Sequence, residues 1–517
     1  MARPGTAVIG WLRFAWATLT SMRTALILLL VLGIAAIPGS LLPQRPTDPL
    51  GVAAYLADRP EVGAWLDRLG FFDVFGSAWF AAVYLLLFIS LVGCILPRTV
   101  GFLHEVRALP APPPGRLTRL PGFASGVVET SPAAVLDAAQ SHLRRHGYRV
   151  RTGADAVSAE RGYLREVGNL VFHICLVGSL VGLAWGALFS FRGTAIVVEG
   201  QAFSNTLTQY DEFGAGAGFS PDGLSPFTVR VDRFDVAFET GPVQTGAARG
   251  FNAAVTVSVP GQPDASQELQ VNAPLQVGGD HVHLLGHGYA PVVTVRDGNG
   301  DVAFSGPVVF VPQDANFRSD GVIKIPDARP ERLAFEGVFL PTAVSGGASG
   351  MVSGFPDTLD PRLLLNVWSG PPRQETGRPE NVYALDRAGL TQLRNGDDPV
   401  TVALEPGTGF RLPDGKGSIS FDGWKRWVKL QFSSTPGGWL VLGSVLLAVL
   451  GMAVSLTVKP RRLFVRVSPE GDAGAAVSVA GLDRVDGRGG LTDEVARLAT
   501  ALGLRVTVAG TDKEEQQ

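Results

Sequence analysis

Cysteine is almost missing from this chain. Only Cys94 and Cys175 occur in 517 residues, and both sit inside apolar runs. That excludes a disulfide-stapled secreted scaffold and a Cys-rich zinc site. No CxxC and no CxxCH occurs, so the chain is neither a thioredoxin-like oxidoreductase nor a c-type cytochrome. GxSxG, Walker A and HExxH patterns are also missing, which leaves a hydrolase or a nucleotide-driven machine without support. Charge is sparse: 18% of residues are charged, 44 basic against 47 acidic. With a net charge of −3 and no aromatic–basic interleaving, nothing points to nucleic acid.

What is present is apolar sequence in two textures. Hydrophobic residues make up 46% of the chain, and mean hydropathy is +0.21. That is high for a soluble protein and too low for a chain made mostly of membrane helices. Part of it lies in four uninterrupted runs, residues 24–42, 79–96, 168–189 and 437–458. Each is long enough to cross a bilayer as a helix. The first could be misread as a signal peptide, because residues 35–40 are small, but it is long and further spans follow. Arg3, Arg13 and Arg23 precede it. Residues 97–167 hold ten arginines, and Lys459, Arg461 and Arg462 follow the fourth run. By the positive-inside rule, segments 1–23, 97–167 and 459–517 are expected in the cytoplasm. Segments 43–78 and 190–434 are then expected outside, in a multi-pass plasma-membrane protein with both termini inside.

The second texture is period-two alternation broken by turns, consistent with 64 Gly and 36 Pro. Residues 227–238, 251–259, 281–289 and 291–304 read as strands, with a hairpin turn at Asp297-Gly298-Asn299-Gly300. The expectation is a large antiparallel β-rich domain over 190–434, sandwich-like or barrel-like, with long loops such as 342–358. The loop 97–167 reads as a small α+β unit, with Ser131-Pro132 starting a helix that ends at Gly147. In the tail, Leu491, Val495, Leu498 and Leu502 share one helix face, and residues 511–517 look frayed. Trp424 and Trp427, shortly before the fourth run, read as interfacial anchors.

Two histidine patterns are candidates for chemistry. His173 is the one ionisable residue inside the third run, and such a group normally has a job or a partner. Arg165 and Asn169 precede it at intervals of four, with Glu166 seven before it, so this stripe shares a helix face. Cys175, Gly178, Gly182 and Gly186 form an opposite stripe that invites close helix packing. His173 reads either as a haem axial ligand, with Arg165 near its propionates, or as a helix–helix hydrogen-bonding group. His281, His283 and His287 share a strand face by parity if the strand is regular, which makes them weak metal candidates. His104, His142 and His146 read as solvated.

Together these segments resemble the ResB family, also called CcsB, of cytochrome c biogenesis. The resemblance rests on SMRTALILLLVLGIAAIPGSLLPQ (21–44), LGFFDVFGSAWFAAVYLLLFISLVGCILPR (69–98), RGYLREVGNLVFH (161–173), FRGTAIVVEGQAFSN (191–205) and NAPLQVGGDHVHLLGHGYAP (272–291). It implies four membrane helices with one large exterior domain. It implies a subunit of the System II cytochrome c synthase that pairs with a ResC/CcsA-type membrane protein. That complex carries haem b across the membrane and attaches it to CxxCH motifs of apocytochrome c, in some settings with a thioredoxin-like thiol reductase. It implies a haem-handling, non-catalytic role for this chain, with His173 as axial ligand and Arg165 and Asn169 in support. The rival class is a membrane-anchored assembly or sensor protein with an exterior ligand-binding β-domain.

Overall fold

The computed structural model describes residues 4–346, 350–372, 384–471, 474–483 and 490–504. The expectation of frayed residues 511–517 lies outside them. Contacts divide the chain into two units, Met1–Ala184 with Gly437–Gln517, and Trp185–Pro436.

The first unit holds most of the helical sequence. Four helices are long and apolar enough to cross a membrane: Met22–Leu41, Ala78–Arg107, Leu164–Phe189 and Gly438–Thr457. The second runs through Pro97, where loss of one backbone donor is tolerated inside a long helix, and continues to Arg107. Three shorter helices were not expected from the sequence: Pro4–Leu19, Pro49–Asp58 and Pro60–Arg68. In the last two, proline at the first helical position supplies the missing-donor start.

The loop and the tail, read separately in the sequence, build one α+β unit. Its five-stranded antiparallel sheet has the order Gly122–Val128, Gly474–Asp483, Arg461–Glu470, Ala156–Arg161, Arg149–Thr152. Helices Pro132–Arg145 and Leu491–Ala501 cover it, and Leu136, Leu143, Val465, Val477, Val495 and Leu498 form the core. The middle strands could not bury one face alone, so the two chain segments complete each other. A buried ion network ties them: Glu494 accepts from Arg461 and, at 2.7 Å, from Arg161, while Arg461 also meets Asp483 at 3.1 Å. Of two adjacent strands, Ala156–Arg161 leads into the third span and Arg461–Glu470 follows the fourth. At the turn, Gly162 (φ +93°) passes so close to Pro460 that an added Cβ would lie 2.5 Å from its Cα.

The second unit is β-rich and its named sheets pair antiparallel. Two 17-residue strands, Asp280–Arg296 and Ser418–Ser434, form its spine. Their seven-stranded sheet serves two cores. Val282, Leu284, Val428, Leu430 and Phe432 pack with Phe203, Phe234 and Val255 of a four-stranded sheet. Tyr289, Val293, Val295, Ile419 and Phe421 pack with Phe335, Phe339 and Leu365 of a six-stranded sheet. Each of these fully buried side chains contributes about 1.5–3 kcal/mol of hydrophobic stabilisation. Trp427 is buried in this β-structure, its Nε1 donating 3.0 Å bonds to the carbonyls of Tyr289 and Phe310. Trp424 packs beside the second core. The interfacial-anchor reading of both is therefore corrected: they sit inside the long strand, on the domain side of Gly437.

Candidate functional site

The third span has two faces with different neighbours. On the glycine face, an added Cβ at Gly168 would lie 2.5 Å from the Gly451 carbonyl oxygen. At Gly178 it would lie 2.7 Å from Ser444 Oγ, and at Gly182 2.7 Å from Val441 Cγ2. Gly451 reciprocates, 2.7 Å from the Gly168 carbonyl oxygen. The fourth span thus occupies this face, at backbone contact between Gly168 and Gly451, where only glycine fits, and through Ser444 and Val441 at Gly178 and Gly182.

The other face borders a cavity of about 410 Å³ among the first three spans. Its floor and sides are apolar, including Leu26, Leu29, Leu87, Leu91, Phe172 and Leu176. Glu166, Asn169 and His173 reach it from the third span, and Cys94 and Arg98 from the second. The His173 Nδ1 lies 2.7 Å from the Asn169 carbonyl oxygen, one turn back. A carbonyl only accepts, so Nδ1 is the donor, and in the neutral ring the lone pair is then on Nε2. Phe172 meets the imidazole edge-on, with ring centroids 5.2 Å apart. Farther along, the Tyr84 hydroxyl donates to the Leu180 carbonyl and joins the second and third spans.

Of the stripe read in the sequence, Asn169 and His173 line the cavity and Arg165 does not. At 100° per residue Arg165 trails His173 by about 80°, whereas Glu166 is within about 20° of it. The cation on the cavity wall is Arg98, which sequence reasoning took only as a topology marker. A signal existed: Leu87, Leu91, Cys94, Arg98 and Phe102 recur at helical spacing, legible once Pro97 is not treated as a stop.

His281, His283 and His287 are not all brought together. A register shift between Leu284 and Gly286 inserts one residue against the partner strand. His281 and His283 stay on one face, ring centroids 6.2 Å apart, opposite Ser433 and Gln431. His287 is turned to the core side, beside Val428, with Phe317 stacked 4.8 Å away and Phe234 and Phe251 around it. The parity expectation therefore fails at Leu285. Asp280, buried and hydrogen-bonded by Asn205 at 3.4 Å, points away from His281. Among the described residues no cluster of three or more His, Cys, Asp or Glu could hold a metal. Burial, with Arg426 adding, lowers the His287 pKa to about 4, so that ring is neutral at physiological pH. His142 and His146 stack 4.2 Å apart on their helix.

Four apolar spans, an antiparallel β-domain and a histidine cavity between helices define a multi-span membrane protein that presents an imidazole to an apolar space. Residues 22–495 match the ResB-like family, and the chain belongs to it. Its relatives are named cytochrome c biogenesis protein CcsB. That of Synechococcus sp. strain CC9311 is 27% identical over 292 residues, covering 56% of this chain and 62% of the relative. That of Synechococcus sp. strain JA-2-3B'a(2-13) is 25% identical over 417 residues, covering 76% and 81%. That of Paulinella chromatophora is 25% identical over 284 residues, covering 51% and 60%. The chain thus spans less than two thirds of the length of the first and third of these relatives.

Proposed function

We propose that this protein is a haem-handling subunit of a System II cytochrome c synthase. In this reading it works with a ResC/CcsA-type membrane protein to bring haem b across the plasma membrane. The complex then attaches that haem to CxxCH motifs of apocytochrome c, kept reduced where needed by a thioredoxin-like thiol reductase. The observation that carries the reading is His173: an imidazole with Nδ1 tied to its own helix and Nε2 free, on the wall of an apolar cavity between membrane helices.

The donor set fits an iron porphyrin as cargo. His173 Nε2 offers a neutral ligand to iron, and the Asn169 carbonyl holds the tautomer that makes it available. Leucine and phenylalanine walls exclude water, which favours a flat apolar ring. Arg98 offers a guanidinium to the propionates, the role the sequence had suggested for Arg165. The ring's second axial position is left for a histidine of the partner.

The arginine-rich α+β unit belongs in the cytoplasm in this topology, and the β-rich domain outside. That domain, by size and position, docks apocytochrome or shields the partner's haem. Deleting it without changing apocytochrome binding or haem attachment would refute that role.

The test of the whole reading is a visible spectrum of the protein purified with its partner. A b-type haem signal that disappears in His173→Ala is the expected result. No signal in the wild type, or one that survives the substitution, returns the protein to the assembly or sensor class.

A further inference from the structure

Within the helix Pro4–Leu19, residues 9–18 are all exposed. Ile9, Trp11, Leu12, Phe14 and Trp16 are 53%, 74%, 65%, 66% and 58% exposed. They point in several directions around the helix, and Arg13 is its one charged residue. Leaving five large apolar side chains in water is unfavourable relative to burying them. The helix has 16 residues, about 24 Å, which is short of the ~30 Å hydrocarbon thickness. Its described length is thus below that of a crossing helix.

Its far end is fixed to a helix that does cross. Ser90 of the second span donates to the Leu19 carbonyl, and a Cβ at Gly93 would lie 2.2 Å from Thr20 Cγ2 and 3.6 Å from the Trp16 ring. Ser21 then caps the first span, accepting from the Thr24 amide at 3.2 Å. The chain thus passes from one helix into a membrane helix within two residues. No acidic residue precedes Asp48, while Arg3, Arg13 and Arg23 do, which suits anionic headgroups.

We infer that Pro4–Leu19 lies in the plane of the membrane–water interface, with a lipid surface covering Ile9, Trp11, Leu12 and Phe14. Arg13 reaches the headgroups, and the tryptophans sit at the depth where indoles concentrate. Gly93, against which the helix end is packed, is one residue from Cys94 and five from Arg98 on the cavity wall. The surface helix therefore sets Arg98 near headgroup depth. This inference depends on the membrane spans alone and stands whatever cargo the cavity takes.

The test uses the full chain with Cys94→Ala and Cys175→Ala in phosphatidylcholine–phosphatidylglycerol vesicles. Nitroxide labels are placed one at a time at positions 8 to 15. Accessibility to oxygen should exceed that to a water-soluble nickel chelate at 9, 11, 12 and 14. Depth should stay near ~5–10 Å, oscillating with the helical period. Depth increasing steadily by about 1.5 Å per residue, nickel access along the whole helix, or labels shielded from both reagents would each overturn the inference. Independently, the native chain in vesicles with brominated acyl chains should lose one quenched emission component on Trp11→Phe. An unchanged quenched fraction would also overturn it.

Discussion

One face of the third span meets backbone, and the other meets a space. At Gly168 the fourth span's backbone approaches until no side chain fits, and at Gly182 it leaves little room for one. Across the helix, Asn169 and His173 look into a cavity lined by leucines. Both faces are built on the same 26-residue helix, so propensity does not distinguish them. Packing does. Between lipid-embedded helices there is little hydrophobic drive, so association comes from close backbone approach, and glycines supply it. A polar group that the membrane disfavours lies on the opposite face, where it borders the cavity.

The contrast breaks most sharply from the glycine side. Gly168→Leu with Gly182→Leu should destabilise the folded chain by several kcal/mol, since each overpacked site costs about 1–3 kcal/mol. Gly443→Leu, in the fourth span with nothing near its Cβ position, should change stability by less than about 0.5 kcal/mol. Thermal melts in detergent compare them, and equal losses in both variants would remove the packing role.

The next effect concerns an imidazole buried in the β-domain. The unfolded chain protonates His287 below about pH 6.5, while the folded domain resists until about 4. The lowered folded value means stability is full above pH 6.5 and lost as pH falls toward 4, by up to ~3 kcal/mol. His287→Phe should flatten that part of the pH–stability curve. An unchanged slope would mean that this ring does not titrate differently in the folded domain.

Smaller, and specific to the cavity, is Arg98→Gln. It should weaken binding of a dicarboxylate porphyrin about tenfold, ~1.4 kcal/mol, and leave its dimethyl ester unaffected. Equal effects on both ligands would assign Arg98 a structural role, and an effect of Arg165→Gln instead would restore the sequence expectation. The smallest effect is expected at His281 and His283. Chelator treatment should leave the melting temperature within about 1 °C, because two imidazoles without a third ligand form a weak site. A chelator-dependent loss that disappears in His281→Ala would show that a ligand from elsewhere completes it.

Much of this was legible because the signals are local. Continuous apolar runs announce spans, and a glycine every fourth residue announces a packing face. The tail stripe Leu491, Val495, Leu498 and Leu502 is buried as its period implies. What failed were readings that needed register or partners. One extra residue at Leu285 turned His287 away from His281 and His283. Trp427 looked like a membrane anchor because its distance along the chain from Gly437 hid its place in the core. The strands Ala156–Arg161 and Arg461–Glu470 lie about 300 residues apart in sequence, and no local pattern announces that they pair.

The sequence by itself determined the four spans, the β-rich texture, the family and the histidine worth testing. Those follow from hydrophobic periodicity and residue chemistry, which act over a few residues. Only the tertiary structure decided that loop and tail form one sheet and that Arg98, not Arg165, lines the cavity. It also decided that the Asn169 carbonyl leaves Nε2 of His173 free. These depend on which distant atoms come within a few ångströms, and that is settled by packing among elements the chain keeps far apart.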